Sequence, residues 1–326
     1  MKKVVSAIVF LLAVYGYLYA QGGKQVHIVG NDGDDAVYWL NGRRSVLPKT
    51  GSDYAMATAI AVSGSNVYIA GRDVDAVYWL NGRRNVLPKT GHDAVTFAFA
   101  IAVSRSNVYI AGTDEFVDAV YWLNGQRNVL LKKTGRDSRA IAIAVSGSNV
   151  YIAGMDSDEE GSDAVYWLNG QRNVLPKTGK YAFASAIAVS GSNVYIAGWD
   201  GDDENGIFDE NDVFDAVYWL NGRRNILPKT GNAAEATAIA VSGSNVYIAG
   251  REGYDAVYWL NGQRNVLPKT GLGARATAIA VSGSNVYIAG SDGYDAVYWL
   301  NGRINVLPKT AGTDSSAYAS AIAVTR

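Results

Sequence analysis

The segment Asp295-Ala296-Val297-Tyr298-Trp299-Leu300-Asn301-Gly302 decides the fold, because it occurs unchanged seven times in the 326-residue chain. Its tryptophans are Trp39, Trp79, Trp122, Trp167, Trp219, Trp259 and Trp299. They therefore recur with a period of about 40 to 50 residues, and each repeat consists of short β-branched and aromatic runs. This pattern predicts an all-β repeat protein.

Each repeat predicts four strands, which in the last copy are 276–281, 285–289, 296–300 and 305–309. Asn301-Gly302 joins the third strand to the fourth, and both residues tolerate the positive φ of a type I′ hairpin. The proline of the fourth strand, such as Pro308, has no N–H and places that strand at an edge. We therefore expect a seven-bladed β-propeller of four-stranded antiparallel blades.

The two ends of the chain predict how the ring closes. Residues 26–30 match a second strand, and residues 319–324 match a first strand that has no second strand after it. We expect the C-terminal strand to pair with the N-terminal strands and complete one blade, which leaves no unpaired edge at the centre. Residues 21–326 are then a single domain.

Residues 1–20 have the layout of a signal peptide, with Lys2 and Lys3 before an apolar run from Val4 to Ala20. An uncleaved membrane anchor is the alternative. We expect cleavage, no stable membrane insertion afterwards, and a secreted or periplasmic monomer. The chain has no cysteine, which excludes disulfides and thiol chemistry, and its net charge of -1 argues against nucleic acid as a partner.

The repeats resemble a known family, the bacterial seven-bladed β-propeller repeats (SBBP-like repeats). The resemblance rests on Ala-Ile-Ala-Val, then Asn-Val-Tyr-Ile-Ala-Gly, then the Asp-Ala strand, and it covers about residues 24–326. Ala70, Ala111 and Ala153 stand where that pattern often has threonine. The resemblance implies an exported binding or scaffold protein that is mostly non-enzymatic, and it transfers no catalytic residue.

One position varies while its neighbours stay constant, six residues before the valine of the first strand. It is occupied by Met56, Phe97, Arg139, Phe183, Glu235, Arg275 and Tyr318. We expect these side chains at the mouth of the central channel, on the face that carries the irregular loops, where they form a ligand site for a glycan or a protein. Packing between blades is the alternative. Trp199, outside the repeated segment, either stacks on a ligand or fixes its loop.

The longest insertion, residues 199–214, is rich in oxygen ligands. Aligned on Gly206, it resembles a calcium loop with Asp203, Asn205 and Asp209 as ligands, although Gly201 stands at the first ligand position. A solvated acidic loop is the alternative, and we expect no other cofactor.

Three further repeated positions have structural interpretations. The seven tryptophans should fill the core between blades. The aspartate that opens each third strand, such as Asp35, should accept backbone N–H bonds in the preceding loop. The arginines near the fourth strand, such as Arg44, should form a solvated rim, interrupted by Ile304.

These observations favour an exported, non-enzymatic binding or scaffold protein. Two alternatives stay open. One is an enzyme that acts on polysaccharide through loop carboxylates among Asp156, Glu159, Asp209 and Glu210. The other is a purely structural surface component.

Overall fold

The computed structural model describes residues 23–51, 54–91, 94–115, 117–133, 137–202, 213–310 and 316–326. Within these ranges all regular secondary structure is β-strand, and the strands repeat in groups of four. The predicted signal peptide lies outside the described residues. The part of the chain that the structure describes contains no helix long and apolar enough to cross a membrane.

The strands fall into four classes by their place in the repeat. The first strands are β4 (Ala55–Ser63), β8 (Thr96–Ser104), β12 (Ser138–Ser146), β16 (Tyr181–Ser190), β20 (Ala234–Ser242), β24 (Ala274–Ser282) and β28 (Ala317–Thr325). The second strands are β1 (Gln25–Asp32), β5 (Asn66–Asp73), β9 (Asn107–Asp114), β13 (Asn149–Ser157), β17 (Asn193–Gly201), β21 (Asn245–Glu252) and β25 (Asn285–Asp292).

The third and fourth strands complete each group. The third strands are β2 (Asp35–Leu40), β6 (Asp75–Leu80), β10 (Asp118–Leu123), β14 (Ser162–Leu168), β18 (Phe214–Leu220), β22 (Asp255–Leu260) and β26 (Asp295–Leu300). The fourth strands are β3 (Arg43–Val46), β7 (Arg83–Val86), β11 (Gln126–Val129), β15 (Gln171–Val174), β19 (Arg223–Ile226), β23 (Gln263–Val266) and β27 (Arg303–Val306).

In the described residues these strands form four-stranded antiparallel units, in the order first, second, third, fourth. We number them from the N-terminus: unit 1 is β28 with β1–β3, and units 2 to 7 follow along the chain to β24–β27. Units 4 and 5 are joined into one larger sheet by a single parallel bridge between Ser162 and Tyr181. The first and fourth strands form the two edges of each unit, as the sequence predicts.

Unit 1 is built from both ends of the chain. β1 pairs antiparallel with β28, and the register places Val26 opposite Val324 and Ile28 opposite Ile322. On its other side β1 pairs with β2, where Ile28 lies opposite Trp39. The predicted pairing of the C-terminal strand with the N-terminal strands is therefore present.

The Asn-Gly turns have the predicted type I′ backbone, with φ of 51° at Asn41 and 78° at Gly42 and closely similar values in the other six copies. The fourth strand is shorter than predicted. It ends at Val306 in unit 7, before Pro308, because proline has no N–H to continue the ladder. The free carbonyl of this proline instead takes part in the contact between units.

The units pack against one another through the seven repeated tryptophans, all of which are 0% exposed. Trp79 of unit 2 donates its indole N–H to the carbonyl of Pro48, which follows unit 1, at 2.8 Å. Each tryptophan makes the equivalent bond to the unit before it, and Trp39 of unit 1 makes it to Pro308, which follows unit 7. The predicted core role of the tryptophans is confirmed.

Each of the seven buried apolar clusters lies between two neighbouring units. One contains Val29 of unit 1 with Trp79 of unit 2. Another contains Trp39 of unit 1 with Tyr287 and Leu307 of unit 7. The first strands also contact one another in order from β4 to β28, and β28 contacts β4.

A buried carboxylate at or near the end of each second strand fixes the linker that arrives from the preceding unit. Asp73, 0% exposed, accepts the backbone N–H of Thr50 at 2.9 Å and pairs with Arg84 at 2.6 Å. We call this set the linker carboxylates: Asp32, Asp73, Asp114, Asp156, Asp200, Glu252 and Asp292. Each ties two neighbouring units together.

Two sequence predictions are wrong at these positions. The aspartates that open the third strands pair with lysines, such as Asp35 with Lys49 at 3.0 Å, and it is the linker carboxylates that accept backbone N–H groups, those of the linkers between units. The arginines do not form a solvated rim, because six of them pair with linker carboxylates at 2.5 to 2.7 Å. A guanidinium forms a strong, charge-assisted hydrogen bond with a buried carboxylate, so these arginines bind the linker carboxylates in preference to water.

Candidate functional site

The seven predicted site positions all lie near the beginning of a first strand, and they are equivalent in the seven units. Each pairs with a residue near the end of the second strand. The pairs are Met56–Arg72, Phe97–Thr113, Arg139–Met155, Phe183–Trp199, Glu235–Arg251, Arg275–Ser291 and Tyr318–Asn31. Trp199, which the sequence places in a loop, is part of strand β17 and lies opposite Phe183. All eight predicted ligand-binding residues therefore lie at the same end of the units.

A β-bulge lies two residues after each of these positions. In unit 2 the register passes from Ala57 opposite Gly71 to Ala59 opposite Ala70, so Thr58 has no partner in the ladder. The bulge residues are Thr58, Phe99, Ile141, Ser185, Thr237, Thr277 and Ser320. We call the bulge residues and the seven pairs together the variable cluster.

The bulge explains an invariant glycine in the second strand. A Cβ on Gly71 would lie 2.0 Å from the carbonyl oxygen of Met56, and the equivalent glycines have equally close contacts. In three units the bulge residue also contacts the next unit, as when Thr58 donates to the carbonyl of Ala98 at 2.8 Å. The backbone of the variable cluster is therefore rigidly held while its side chains differ.

Units 2 to 5 contribute an aromatic and apolar half of the variable cluster. Phe97 stacks with Phe99 at 5.7 Å between ring centres, and the Arg72 guanidinium lies 4.3 Å from the centre of the Phe97 ring. Phe183 stacks with Trp199 at 6.3 Å, and Trp199 also contacts Phe214 of the following strand. Trp199 thus packs against the strand that follows the long insertion, and its half-buried ring remains partly exposed.

Units 6, 7 and 1 contribute a polar and charged half. Glu235 is 6% exposed and receives two arginines, with Arg275 Nη2 at 2.7 Å and Arg251 Nε at 3.2 Å from its Oε1. Burial lowers the pKa of Arg251 to about 10, and the nearby Arg275 charge acts in the same direction. Burial, together with a hydrogen bond involving Tyr54, raises the pKa of Tyr318.

Two cavities open within the variable cluster, and Arg275 and Thr277 line both. The larger cavity, about 510 Å³, is also lined by Ser291, Tyr318 and Thr58, which belong to units 7, 1 and 2. The smaller cavity, about 260 Å³, reaches from Ile141 of unit 4 past Phe183 and Trp199 to Glu235 of unit 6. The predicted residues Phe183, Trp199, Glu235, Arg275 and Tyr318 therefore line two cavities that share Arg275 and Thr277, whereas Met56, Phe97 and Arg139 do not line either cavity.

The sequence analysis identified one of the three positions that each unit contributes, and of the second-strand partners it identified Trp199. The second-strand partners vary between copies as strongly as the predicted position does, and the bulge residues vary less, since five of the seven are threonine or serine. Variation among otherwise identical repeats would have identified both sets. The bulge, which changes which side chains face the cavities, has no sequence signal of its own.

The predicted calcium ligands Asp203, Asn205 and Asp209 lie outside the described residues. Among the residues that are described, no group of three or more histidines, aspartates and glutamates is placed to hold a metal ion. Of the carboxylates considered for catalysis, Asp209 and Glu210 are also outside the described part. Asp156 is a linker carboxylate, 2% exposed and paired with Arg172 at 2.7 Å.

Solved structures are similar to this chain at low sequence identity. U3-55K is 16% identical, with a TM-score of 0.53, over 81% of this chain and 83% of that one. The computationally designed Ika8 protein is 18% identical, with a TM-score of 0.49, over 92% and 91% of the two chains. A chain from the nidogen/laminin complex is 12% identical, with a TM-score of 0.45, over 93% and 98%.

No family model matches the chain, and no curated protein matches it. The predicted resemblance to SBBP-like repeats therefore has no support from a sequence family. The structural likeness to U3-55K and the repeated four-stranded antiparallel sheets together define a β-propeller-like fold.

Proposed function

We infer that the seven units close into a ring, which makes the protein a seven-bladed β-propeller. An open row of seven units has six interfaces, whereas seven buried clusters lie between neighbouring units here. The additional interface joins unit 7 to unit 1 through Trp39 and Pro308. Thr310, in the linker after unit 7, also donates to Asp32 of unit 1 at 2.7 Å.

We propose that this ring is an exported, non-enzymatic binding module, and that its ligand, a glycan or a protein segment, binds to the variable cluster. The observation that carries the proposal is the contrast within each repeat. The core residues of the units are nearly identical, whereas the variable cluster places different side chains around two cavities that share Arg275 and Thr277. Half-exposed aromatic rings beside hydroxyl and guanidinium groups are typical of sites that bind by stacking and hydrogen bonding.

Residues outside the variable cluster are less suited to recognition. The repeated tryptophans are buried, and the repeated aspartate and lysine pairs and the linker carboxylates are used within the scaffold. The enzymatic alternative is weaker as well, because Asp156 is already bound within the scaffold by Arg172 and by the Lys133 backbone N–H. Export rests on the apolar run at residues 4–20.

A glycan and peptide array tests the proposal with the mature chain and two variants. Phe183→Ala removes one of the stacked rings that line the smaller cavity, and we expect it to weaken the array signals. Ile226→Ala, on the exposed fourth strand of the same unit, is the matched control and should leave the signals unchanged. Array signals that Phe183→Ala leaves intact would contradict the proposed site, and an array without signals would contradict the proposed function.

A further inference from the structure

Arg275 differs from the other arginines of the variable cluster in its exposure. The described cluster contains Arg72, Arg139, Arg251 and Arg275, and only the last is exposed, with 45% of its side chain accessible. Arg72 lies over the Phe97 ring, and Arg251 is half-buried beside Glu235. Arg275 is therefore the cation that a ligand in either cavity reaches first.

The local charge favours an anionic group. Glu235 is one carboxylate between two guanidiniums, so the group of three carries a net positive charge. Arg275 contacts Glu235 through Nη2, and a guanidinium has five N–H donors in a planar fork. Its remaining donors match a carboxylate, which accepts two parallel hydrogen bonds from such a fork.

The lining of the larger cavity favours a saccharide as the carrier of that carboxylate. Ser291 lies opposite Arg275 in the β24–β25 pair, and Ser316, Ser320 and Tyr318 add three more hydroxyl groups. Hydroxyl groups both donate and accept, and therefore suit a ligand that is itself rich in hydroxyl groups. The cavity volume of about 510 Å³ is within the usual range for small-molecule sites.

The smaller cavity extends the site on the other side of Arg275. Phe183 and Trp199 line it together with Arg275 and Thr277. An aromatic ring beside a polar wall can bind the apolar face of a neighbouring sugar ring. A peptide that binds by strand addition needs an open strand edge, whereas the cavities lie where the strands begin and end.

We propose that Arg275 binds the carboxylate of an acidic oligosaccharide, one sugar of which occupies the cavity beside Ser291 and Tyr318. This inference rests on the proposed binding function and names its ligand class. The interaction is an ion pair at a partly exposed site, so the affinity should fall as the salt concentration rises.

Titration calorimetry tests the inference with an oligogalacturonate, its methyl ester and an oligomer of aspartate. The ester keeps the sugar rings and removes the charge. We expect the acid to bind the unmodified protein about tenfold more tightly than the ester or better, which is the usual effect of a charge-assisted hydrogen bond. This comparison needs no variant and therefore does not depend on how a variant folds.

Arg275→Gln should remove the difference between acid and ester, and Arg275→Lys should restore part of it. Arg303→Gln is the matched control, because Arg303 is an exposed arginine of the same unit at the opposite end of the strands.

An equal loss in Arg303→Gln would overturn the inference, as would tighter binding of the aspartate oligomer. If the acid and the ester bind with equal affinity and Phe183→Ala abolishes this binding, the inference is overturned and the proposed function stands. Absence of binding by acid and ester alike would overturn the inference, and together with an array without signals it would remove the proposed function as well.

Discussion

The indole N–H of Trp39 donates to the carbonyl oxygen of Pro308 at 2.8 Å, across 269 positions of the chain. The other six repeated tryptophans make the equivalent bond over 31 to 43 positions, five to a proline carbonyl and Trp167 to that of Leu131. Trp39 therefore relates the first and last units in the way that every other tryptophan relates two successive units. This equivalence is the basis of the proposed ring.

Unit 7 lacks an ion pair that the other six units have. Ile304 stands where they have arginine, and within the described ranges Asp292 keeps the hydrogen bonds from Thr270 and Gly271. Although burial alone raises the pKa of Asp292, these hydrogen bonds hold it below its ordinary value, so the carboxylate is charged at neutral pH. We expect Ile304→Arg to raise the free energy of unfolding by about 1 kcal/mol, measured by urea denaturation at pH 7.

The matched control is the reverse change in unit 6. Arg264→Ile leaves Glu252, which is 6% exposed, without its cation and should lower the free energy of unfolding by about 1 to 2 kcal/mol after allowance for the partial exposure of Arg264. If Ile304→Arg destabilises the protein as much as Arg264→Ile does, the ion pairs are not the reason for the repeated arginine.

His27 makes the stability of unit 1 depend on pH. It is 2% exposed, with Nδ1 at 2.7 Å from the Tyr38 hydroxyl and Nε2 at 3.0 Å from the Thr325 hydroxyl. Burial lowers the pKa of His27 below its ordinary value of 6.5. Because the unfolded chain then binds the proton more readily, stability should be complete above pH 6.5 and decrease as the pH falls through the folded pKa.

The other units supply the control, since they have tyrosine at this position, as at Tyr68 and Tyr287. His27→Tyr should remove the decrease that begins near pH 6.5 and leave only the loss at more acidic pH, where carboxylates are protonated. Thermal melting between neutral and mildly acidic pH measures both proteins. Identical profiles would show that His27 does not cause the dependence.

The bulge requires glycine in the second strand. Gly71→Ala would place a Cβ 2.0 Å from the Met56 carbonyl oxygen, which is backbone and cannot move aside. We expect a loss of about 1 to 3 kcal/mol, measured by denaturation, because the strand pair must separate locally. Gly91→Ala is the control, since its nearest neighbour would be Glu115 at 3.9 Å; a similar effect of both changes would contradict the role of the bulge.

The repeated segment was sufficient to predict the strands, the Asn-Gly turns and the buried tryptophans, since each depends on local geometry or on a strict period. The linker carboxylates were not predicted, because Asp73 comes directly before a variable loop and resembles any loop aspartate. Its role depends on Thr50, which approaches it only after units 1 and 2 pack, and on Arg84, which the pairing of β6 with β7 brings near it within unit 2.

The candidate site was likewise predicted only in part from the sequence. Met56, Phe97 and their equivalents could be found as the variable position of a constant strand. Their partners in the second strand, such as Arg251 beside Glu235, depend on a register that the bulge shifts. Charge pairing across strands follows from that register, so the sequence pattern alone does not predict it.

The closed ring is tested most directly by an engineered disulfide between β1 and β28, because the natural chain has no cysteine. Val26→Cys with Val324→Cys joins directly opposed residues, and Val281→Cys with Val286→Cys is the equivalent pair within unit 7. Both pairs should oxidise, and the first should stabilise the protein by about 3 kcal/mol more, since it closes a far longer loop. Oxidation of the control pair alone, with free thiols at positions 26 and 324, would contradict the closed ring.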